Sequence, residues 1–225
     1  MEETLKRRSF LKYSVGTTAA AALIMAGCKD DDDPSDMGTA DAVDLGSGDT
    51  GILNYAFALE QLEAGFYTTV VAHTAFTTTF SAAEQAILTD IRDHEITHRE
   101  FFRAALANKA IIDLTPDFSS IDFGSRASVL GAAKVFEDLG VAAYNGAGNL
   151  LTDGNLLLVA GKIVSVEARH AAAIRDLLNP KSVDFAADDV VDANGLDGAK
   201  SPSDVLTAAS KYVKNKITFD KLPNS

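Results

Sequence analysis

Four short stretches of the chain carry carboxylate and imidazole side chains at spacings that suit metal binding. Two are Glu-x-x-His motifs and two are Glu-x₆-Tyr motifs, and they alternate along the sequence as Glu60–Tyr67, Glu95–His98, Glu137–Tyr144 and Glu167–His170. In a helix, residues three apart share a face, so each Glu-x-x-His motif presents a carboxylate and an imidazole to one point in space. Seven residues span about two helical turns, which places each Tyr on the face of its Glu.

These motifs lie on helix faces that are otherwise apolar. Apolar residues recur about every 3.5 positions around each motif, as in helices that pack into a bundle. Ionised carboxylates in the middle of four apolar stripes would repel one another and lose hydration. Two divalent cations would balance four carboxylates, and oxygen-rich ligation suits iron and manganese. The sequence therefore predicts that the four motifs meet at a metal site.

Residues near the motifs carry further predictions. Glu63 lies on the inner face of the first helix, but its counterpart in a weak internal repeat is a glycine. It is either an extra metal ligand or a partly solvated carboxylate. Tyr67 and Tyr144 are predicted to donate hydrogen bonds to ligand carboxylates. His73 and His94 lie out of phase with the motifs and are assigned to surface or core packing.

The complete motif set resembles the ferritin-like superfamily. Its di-iron and di-manganese bundles take one Glu from each of two helices and Glu-x-x-His from each of the other two. The resemblance covers about residues 50–180. More narrowly, the chain resembles the exported ferritin-like domain proteins that include desiccation-related proteins. The resemblance implies a carboxylate-bridged site for two divalent ions, Fe or Mn, and oxidoreductase chemistry on O₂ or peroxide. The implied ligands are Glu60, Glu95, His98, Glu137, Glu167 and His170. The alternative is a non-enzymatic bundle for stress protection or adhesion at the envelope, with a vestigial or structural metal site. Iron storage in a closed shell fits poorly with a tethered subunit.

Capping and turn signals divide the chain into helices. An all-α fold is predicted: a ferritin-like four-helix bundle with a long crossover between its second and third helices, plus a short C-terminal helix. Asp49 or Thr50 is predicted to cap the first helix, and Arg103 and Arg175 to pair with acids near helix ends. The predicted elements are helices at 49–73, 81–108, 125–151 and 154–178, a crossover at 110–124, a loop at 181–200 and a helix at 201–215. The predicted domains are a bundle at 49–180 and a loop with a packed C-terminal helix at 181–225.

The N-terminal region is predicted to be an export signal followed by an acidic tether. Residues 1–27 contain the Arg7-Arg8 pair of a twin-arginine signal and an apolar stretch too short to span a bilayer. The stretch ends before Gly27-Cys28, which resembles a lipobox and predicts a lipid on Cys28; the alternative is an ordinary signal peptide with an incidental cysteine. Residues 28–48 form the tether. The expected location is the bacterial cell envelope, as a periplasmic or surface-exposed lipoprotein bound to the membrane through this lipid.

Composition excludes several other classes of function. With 225 residues and a formal net charge of −12, the chain has no general attraction for nucleic acid. A single cysteine excludes a disulfide framework and a cysteine-based zinc or iron–sulfur site. A small oxidant is the substrate that the ferritin-like resemblance implies.

Overall fold

Four long helices form the body of the protein, whose computed structural model describes residues 42–223. The first two long helices pack together as one hairpin, the last two as a second, and the hairpins face each other. The elements are β1 (Val43–Asp44), α1 (Gly48–Ala72), α2 (Phe76–Thr79), α3 (Ala82–Leu106), α4 (Arg126–Ala147), α5 (Gly154–Leu178), α6 (Pro202–Ala209) and β2 (Ile217–Thr218). The predicted all-α bundle with a long crossover and a short C-terminal helix is confirmed. Between residues 42 and 223, no helix is long and apolar enough to cross a membrane.

Local capping fixes the start of α3 and α5. Ser81 accepts a hydrogen bond from the backbone N–H of Glu84, whose carboxylate accepts from the Ser81 N–H at 2.8 Å. This is the capping box expected from the sequence. Asp153 caps α5 by accepting from the Asn155 N–H at 2.7 Å. Both caps satisfy N–H groups that the first turn of a helix leaves free.

The start of α1 differs from the prediction. The helix begins at Gly48, after Ser47, rather than being capped by Asp49 or Thr50. The Asp49 carboxylate instead accepts hydrogen bonds from the backbone N–H groups of Thr152 and Asp153 at 2.8 and 2.9 Å. Asp49 therefore fastens the α4–α5 turn to the start of α1, a long-range role that helix-start signals do not reveal.

Two buried amides hold the crossover (residues 107–125) against α1. Asn54 donates to the Lys109 carbonyl at 3.0 Å, and Gln61 accepts from the Leu114 N–H at 2.7 Å. The crossover has little regular secondary structure, so its backbone groups need partners from elsewhere. These amides satisfy them and keep the crossover along the bundle.

The chain before α1 pairs with the chain after α6. Val43 and Asp44 form a parallel ladder with Ile217 and Thr218, and the adjoining Leu45 is fully buried. The predicted acidic tether, which extends to residue 48, is therefore too long at its C-terminal end. Its earlier residues, the export signal and Cys28 lie outside the described residues.

The C-terminal helix is shorter than predicted. It ends at Ala209, followed by a 3₁₀ turn over Ser210–Tyr212 and then β2. Val205 and Leu206 are buried, which confirms that this helix packs on the body. A strand after the helix was not expected, because two residues give no readable alternation.

Both arginines predicted to pair with acids do so. The guanidinium of Arg175, which is 4% exposed, contacts the carboxylates of Asp138 at 2.7 Å and Asp189 at 3.0 Å. This cluster, in which only the arginine is buried, ties the long loop after α5 to both helices of the second hairpin. Arg103 makes a more exposed pair with Asp113.

The apolar core forms two clusters along the bundle axis, separated by a polar layer. On α1, Ile52 to Leu62 belong to one cluster and Phe66 to Val70 to the other. On α3, Phe102 and Leu106 lie in the first cluster and Leu88 and Ile91 in the second, and α4 and α5 divide in the same way. On α3, α4 and α5 the predicted metal ligands lie between the two clusters, whereas on α1 Glu60 lies within the stretch of the first cluster.

Candidate metal centre

All six predicted ligands lie together in the polar layer between the apolar clusters. Each long helix contributes one fully buried carboxylate: Glu60 from α1, Glu95 from α3, Glu137 from α4 and Glu167 from α5. The ring of His170 is 5% exposed and that of His98 is 12% exposed. Four carboxylates at this depth cannot be surface decoration.

The six residues form two overlapping groups of four. Within each group, one potential ligand atom per residue lies within 4.8 Å of the others. The first group is Glu60, Glu95, His98 and Glu167, and the second is Glu95, Glu137, Glu167 and His170. Glu95 and Glu167 belong to both groups, whereas Glu60 and Glu137 belong to one each.

The two imidazoles reach across the bundle to the opposite Glu-x-x-His helix. His98 Nδ1 lies 2.9 Å from Glu167 Oε1. His170 Nδ1 lies 2.7 Å from Glu95 Oε1 and 3.4 Å from Glu137 Oε2. Each ring therefore directs the same nitrogen into the carboxylate layer.

The inward-facing atoms of this layer have no hydrogen-bond partners. The short N···O contacts lack hydrogen-bond geometry, which leaves eight buried atoms of the six residues unsatisfied: Glu60 Oε2, both oxygens of Glu95, Glu137 Oε2, both oxygens of Glu167, His98 Nδ1 and His170 Nδ1. Buried polar atoms are normally paired, so a cluster of unpaired acceptors needs a cation. Six carboxylate oxygens and two imidazole nitrogens are a donor set that iron or manganese accepts. The residues therefore fit a pair of divalent ions.

The outer oxygens of two carboxylates are held by tyrosines. The Tyr67 hydroxyl donates to Glu137 Oε1 at 2.5 Å, and the Tyr144 hydroxyl donates to Glu60 Oε1. The pairing crosses between α1 and α4, although the sequence places each Tyr near the Glu of its own helix. Each tyrosine leaves the second oxygen of its partner free to face the layer.

Protonation equilibria reflect the crowding of charges. Burial raises the pKa of Glu60 to about 7 and that of Glu167 well above its ordinary value, with repulsion from Glu95 adding to the rise. Burial also opposes ionisation of Glu95, but the close rings of His170 and His98 outweigh it and lower the pKa of Glu95 to about 2. Burial opposes protonation of His98, but the carboxylates around it raise its pKa to about 12. The raised pKa values of Glu60, Glu167 and His98 favour protons that partly neutralise the carboxylate layer. A bound cation would displace these protons, because ligation needs neutral rings and ionised carboxylates.

Glu63 is a fifth buried carboxylate beside the layer. It is 4% exposed, so the alternative of a partly solvated side chain is wrong. Burial, reinforced by repulsion from Glu167 and Glu95, raises its pKa well above the ordinary value. Gly140 makes room for it, since a Cβ at that position would lie 3.0 Å from Glu63 Oε1. Glu63 belongs to neither four-residue group.

His94 is a site residue that the sequence pattern missed. It lies at the surface of α3, yet its Nδ1 is 3.0 Å from His170 Nε2. Its position directly before Glu95 is the only sequence signal, and it does not show that α5 lies alongside. His73, by contrast, accepts from the Ala75 N–H and packs near Phe123, as a structural residue would.

The sequence of this bundle matches a known family model. Residues 48–180, more than half of the 225-residue chain, match the model described as ferritin-like domain. The chain belongs to the ferritin-like family. No curated protein matches it. The ferritin-like match begins at the first residue of α1 and ends just beyond α5, so it contains every residue of the two groups.

A small apolar cavity adjoins the ferritin-like site. It has a volume of about 30 Å³ and lies between all four long helices. Its walls include Leu59, Ala143 and Tyr144, and the 40% exposed Phe101 stands at its rim. Tyr144 both lines this cavity and holds Glu60, so the cavity ends one side chain away from the carboxylate layer.

Proposed function

We propose that this ferritin-like protein holds two divalent ions, iron or manganese, and acts as an oxidoreductase on dioxygen or peroxide. The observation that carries this proposal is the set of unsatisfied buried atoms from six residues on four helices. Two divalent ions would balance the charges of the four carboxylates in the groups. Without such charge, the cost of burying these carboxylates has no compensation other than the protons described above.

The overlap of the groups suggests a role for each ligand. Glu95 and Glu167, which belong to both groups, would bridge the ions. Glu60 with His98, and Glu137 with His170, would each complete the ligation of one ion. Glu63 lies beside the layer and would be an extra ligand that the pair does not require.

When bound, the ions would supply electrons for reduction of the oxidant. The protein supplies position and exclusion of water. Tyr67 and Tyr144 fix the orientation of Glu137 and Glu60 through their outer oxygens. Burial and the neighbouring carboxylates raise the pKa of Glu63 well above its ordinary value, so Glu63 retains a proton more readily than an exposed glutamate does. The apolar cavity beside Tyr144 has room for a molecule the size of dioxygen and suits an uncharged one.

We also propose that the protein acts in the bacterial cell envelope. The support is in the sequence: the Arg7-Arg8 pair, the short apolar stretch and Gly27-Cys28. A lipid on Cys28 would attach the ferritin-like bundle to a membrane, on the periplasmic or the outer surface. Twin-arginine transport carries folded proteins, which suits one that acquires metal before export.

Metal reconstitution tests the central proposal. Purified protein is loaded with Fe(II) or Mn(II), bound metal is counted, and consumption of dioxygen and of peroxide is followed. Wild type is expected to bind two ions and to consume an oxidant. Glu95→Ala is expected to bind neither ion tightly, whereas Glu100→Ala, an exposed change on the same helix, retains both. Two ions without turnover would favour a structural or vestigial site, and no tight metal in wild type would overturn the proposal.

A further inference from the structure

The imidazoles of His94 and His170 are joined edge to edge. His94 Nδ1 lies 3.0 Å from His170 Nε2, and the ring planes are 9° apart with centroids separated by 5.2 Å. Nearly parallel rings at this N···N distance form one N–H···N hydrogen bond. His94 belongs to α3 and His170 to α5, so this bond links the two Glu-x-x-His helices at the surface of the bundle.

The other nitrogen of His170 decides which way this hydrogen bond runs. His170 Nδ1 faces Glu95 and Glu137 inside the carboxylate layer. A neutral imidazole has one N–H and one lone pair. For Nδ1 to offer its lone pair to a cation, the proton of His170 must be on Nε2, and His94 Nδ1 must accept it.

The internal repeat does not place an equivalent histidine beside the other ligand imidazole, His98. Glu95 and His98 correspond to Glu167 and His170, so the residue that corresponds to His94 is Val166. A valine side chain cannot accept a hydrogen bond. His98 therefore receives no equivalent support from α5, and its ring is more exposed than that of His170.

We propose that His94 is a positioning residue that fixes the tautomer and orientation of His170 and makes its metal position the tighter of the two. This inference rests on the proposed di-metal site. Partners of this kind typically change metal affinity by about 10- to 100-fold when they are removed. The two positions thus differ in affinity although their direct ligands are alike.

Zinc binding tests this inference without any measurement of activity. Zn(II) is diamagnetic and binds such sites more tightly than Mn(II) or Fe(II). Competition with a chelator gives the two dissociation constants, and ¹⁵N NMR of the zinc-loaded protein shows which nitrogen of His170 carries the proton. The variants are His94→Ala, His94→Asn and His73→Ala. Asn offers an oxygen close to the position of Nδ1. His73 is a histidine that contacts Ala75 and Phe123.

His94→Ala is expected to raise one zinc dissociation constant by about 10- to 100-fold, to leave the other nearly unchanged, and to lose the protected Nε2 proton of His170. His94→Asn should restore most of the affinity, and His73→Ala should behave as wild type. If wild type and His94→Ala have the same two zinc dissociation constants, or if His94→Asn does not restore the affinity, the inference is overturned while the di-metal proposal stays intact. Absence of zinc binding in the folded wild type would overturn both.

Discussion

The sharing of Glu95 between both groups leads to a graded prediction about thermal stability. Glu95 belongs to both groups of potential ligands, Glu60 to one, and the exposed Glu100 to neither. At a metal concentration 100 times the dissociation constant, each bound ion stabilises the folded state by about 2.7 kcal/mol. Two ions together stabilise it by about 5 kcal/mol, and a domain of this size gains about 2–4 °C per kcal/mol. The melting temperature of wild type should therefore rise by about 10–20 °C when metal is added.

The assay compares each variant with itself. Melting temperatures of wild type, Glu95→Ala, Glu60→Ala and Glu100→Ala are measured by calorimetry, in Mn(II) and in chelator. The difference between the two conditions removes any effect of the substitution on the metal-free fold. Glu100→Ala should keep the full shift, Glu60→Ala about half of it, at about 5–10 °C, and Glu95→Ala almost none. A Glu95→Ala variant that keeps half the shift, or a Glu60→Ala variant that loses all of it, would refute the shared role of Glu95.

Four further predictions concern pH, the ion-pair cluster, the cavity and the N-terminus. Metal affinity should rise with pH from about 6 to 8, because Glu60, with a pKa of about 7, and His170, with a pKa of about 10, must lose protons; calorimetry in buffers of different ionisation enthalpy counts the protons released. Arg175→Met should lower the free energy of unfolding, measured with urea, by about 2–3 kcal/mol. This is less than the loss expected on breaking a fully buried ion pair, because Asp189 is exposed. Ala143→Leu fills the cavity and should slow dioxygen consumption but leave two ions bound. Mass spectrometry of the native protein should find Cys28 lipidated at the mature N-terminus.

Each of these predictions has a result that contradicts it. Affinity that does not change with pH, with no proton released, would mean that the ligands are already deprotonated. For the ion-pair cluster, Arg103→Met is the control, because loss of its exposed pair should lower the free energy of unfolding by only about 0–1 kcal/mol. Equal losses in the two variants would mean that burial of Arg175 does not make its ion pairs more stabilising. Unchanged dioxygen consumption in Ala143→Leu would exclude the cavity as a route. An unmodified Cys28, or cleavage elsewhere, would exclude the lipid anchor.

The features that the sequence predicted correctly are those with a local period. The apolar stripes predicted the helices, and the Glu-x-x-His spacing named residues that lie together in the structure. The capping box at Ser81 could be predicted because Glu84, the partner of Ser81, is only three residues away. These patterns are visible because helical geometry acts over one or two turns.

The features that the sequence did not reveal depend on distant neighbours. Asn54 and Gln61 are buried amides whose partners in the crossover are more than 50 residues away. The burial of Glu63 depends on Gly140, which lies on a different helix. His94 contacts His170 because α3 lies against α5, and no spacing along either helix encodes that contact.

The contacts in the carboxylate layer have a consequence for how the protein is assembled. Tyr67 of α1 holds Glu137 of α4, and Tyr144 of α4 holds Glu60 of α1. The rings of α3 and α5 likewise face each other's carboxylates. Every one of these links runs between the α1–α3 hairpin and the α4–α5 hairpin. The layer therefore resembles the interface of a dimer whose two subunits are joined in one chain. A chain cut in the crossover would yield two complementary halves. Neither half would contain all six potential ligands, and bound metal would hold the two halves together.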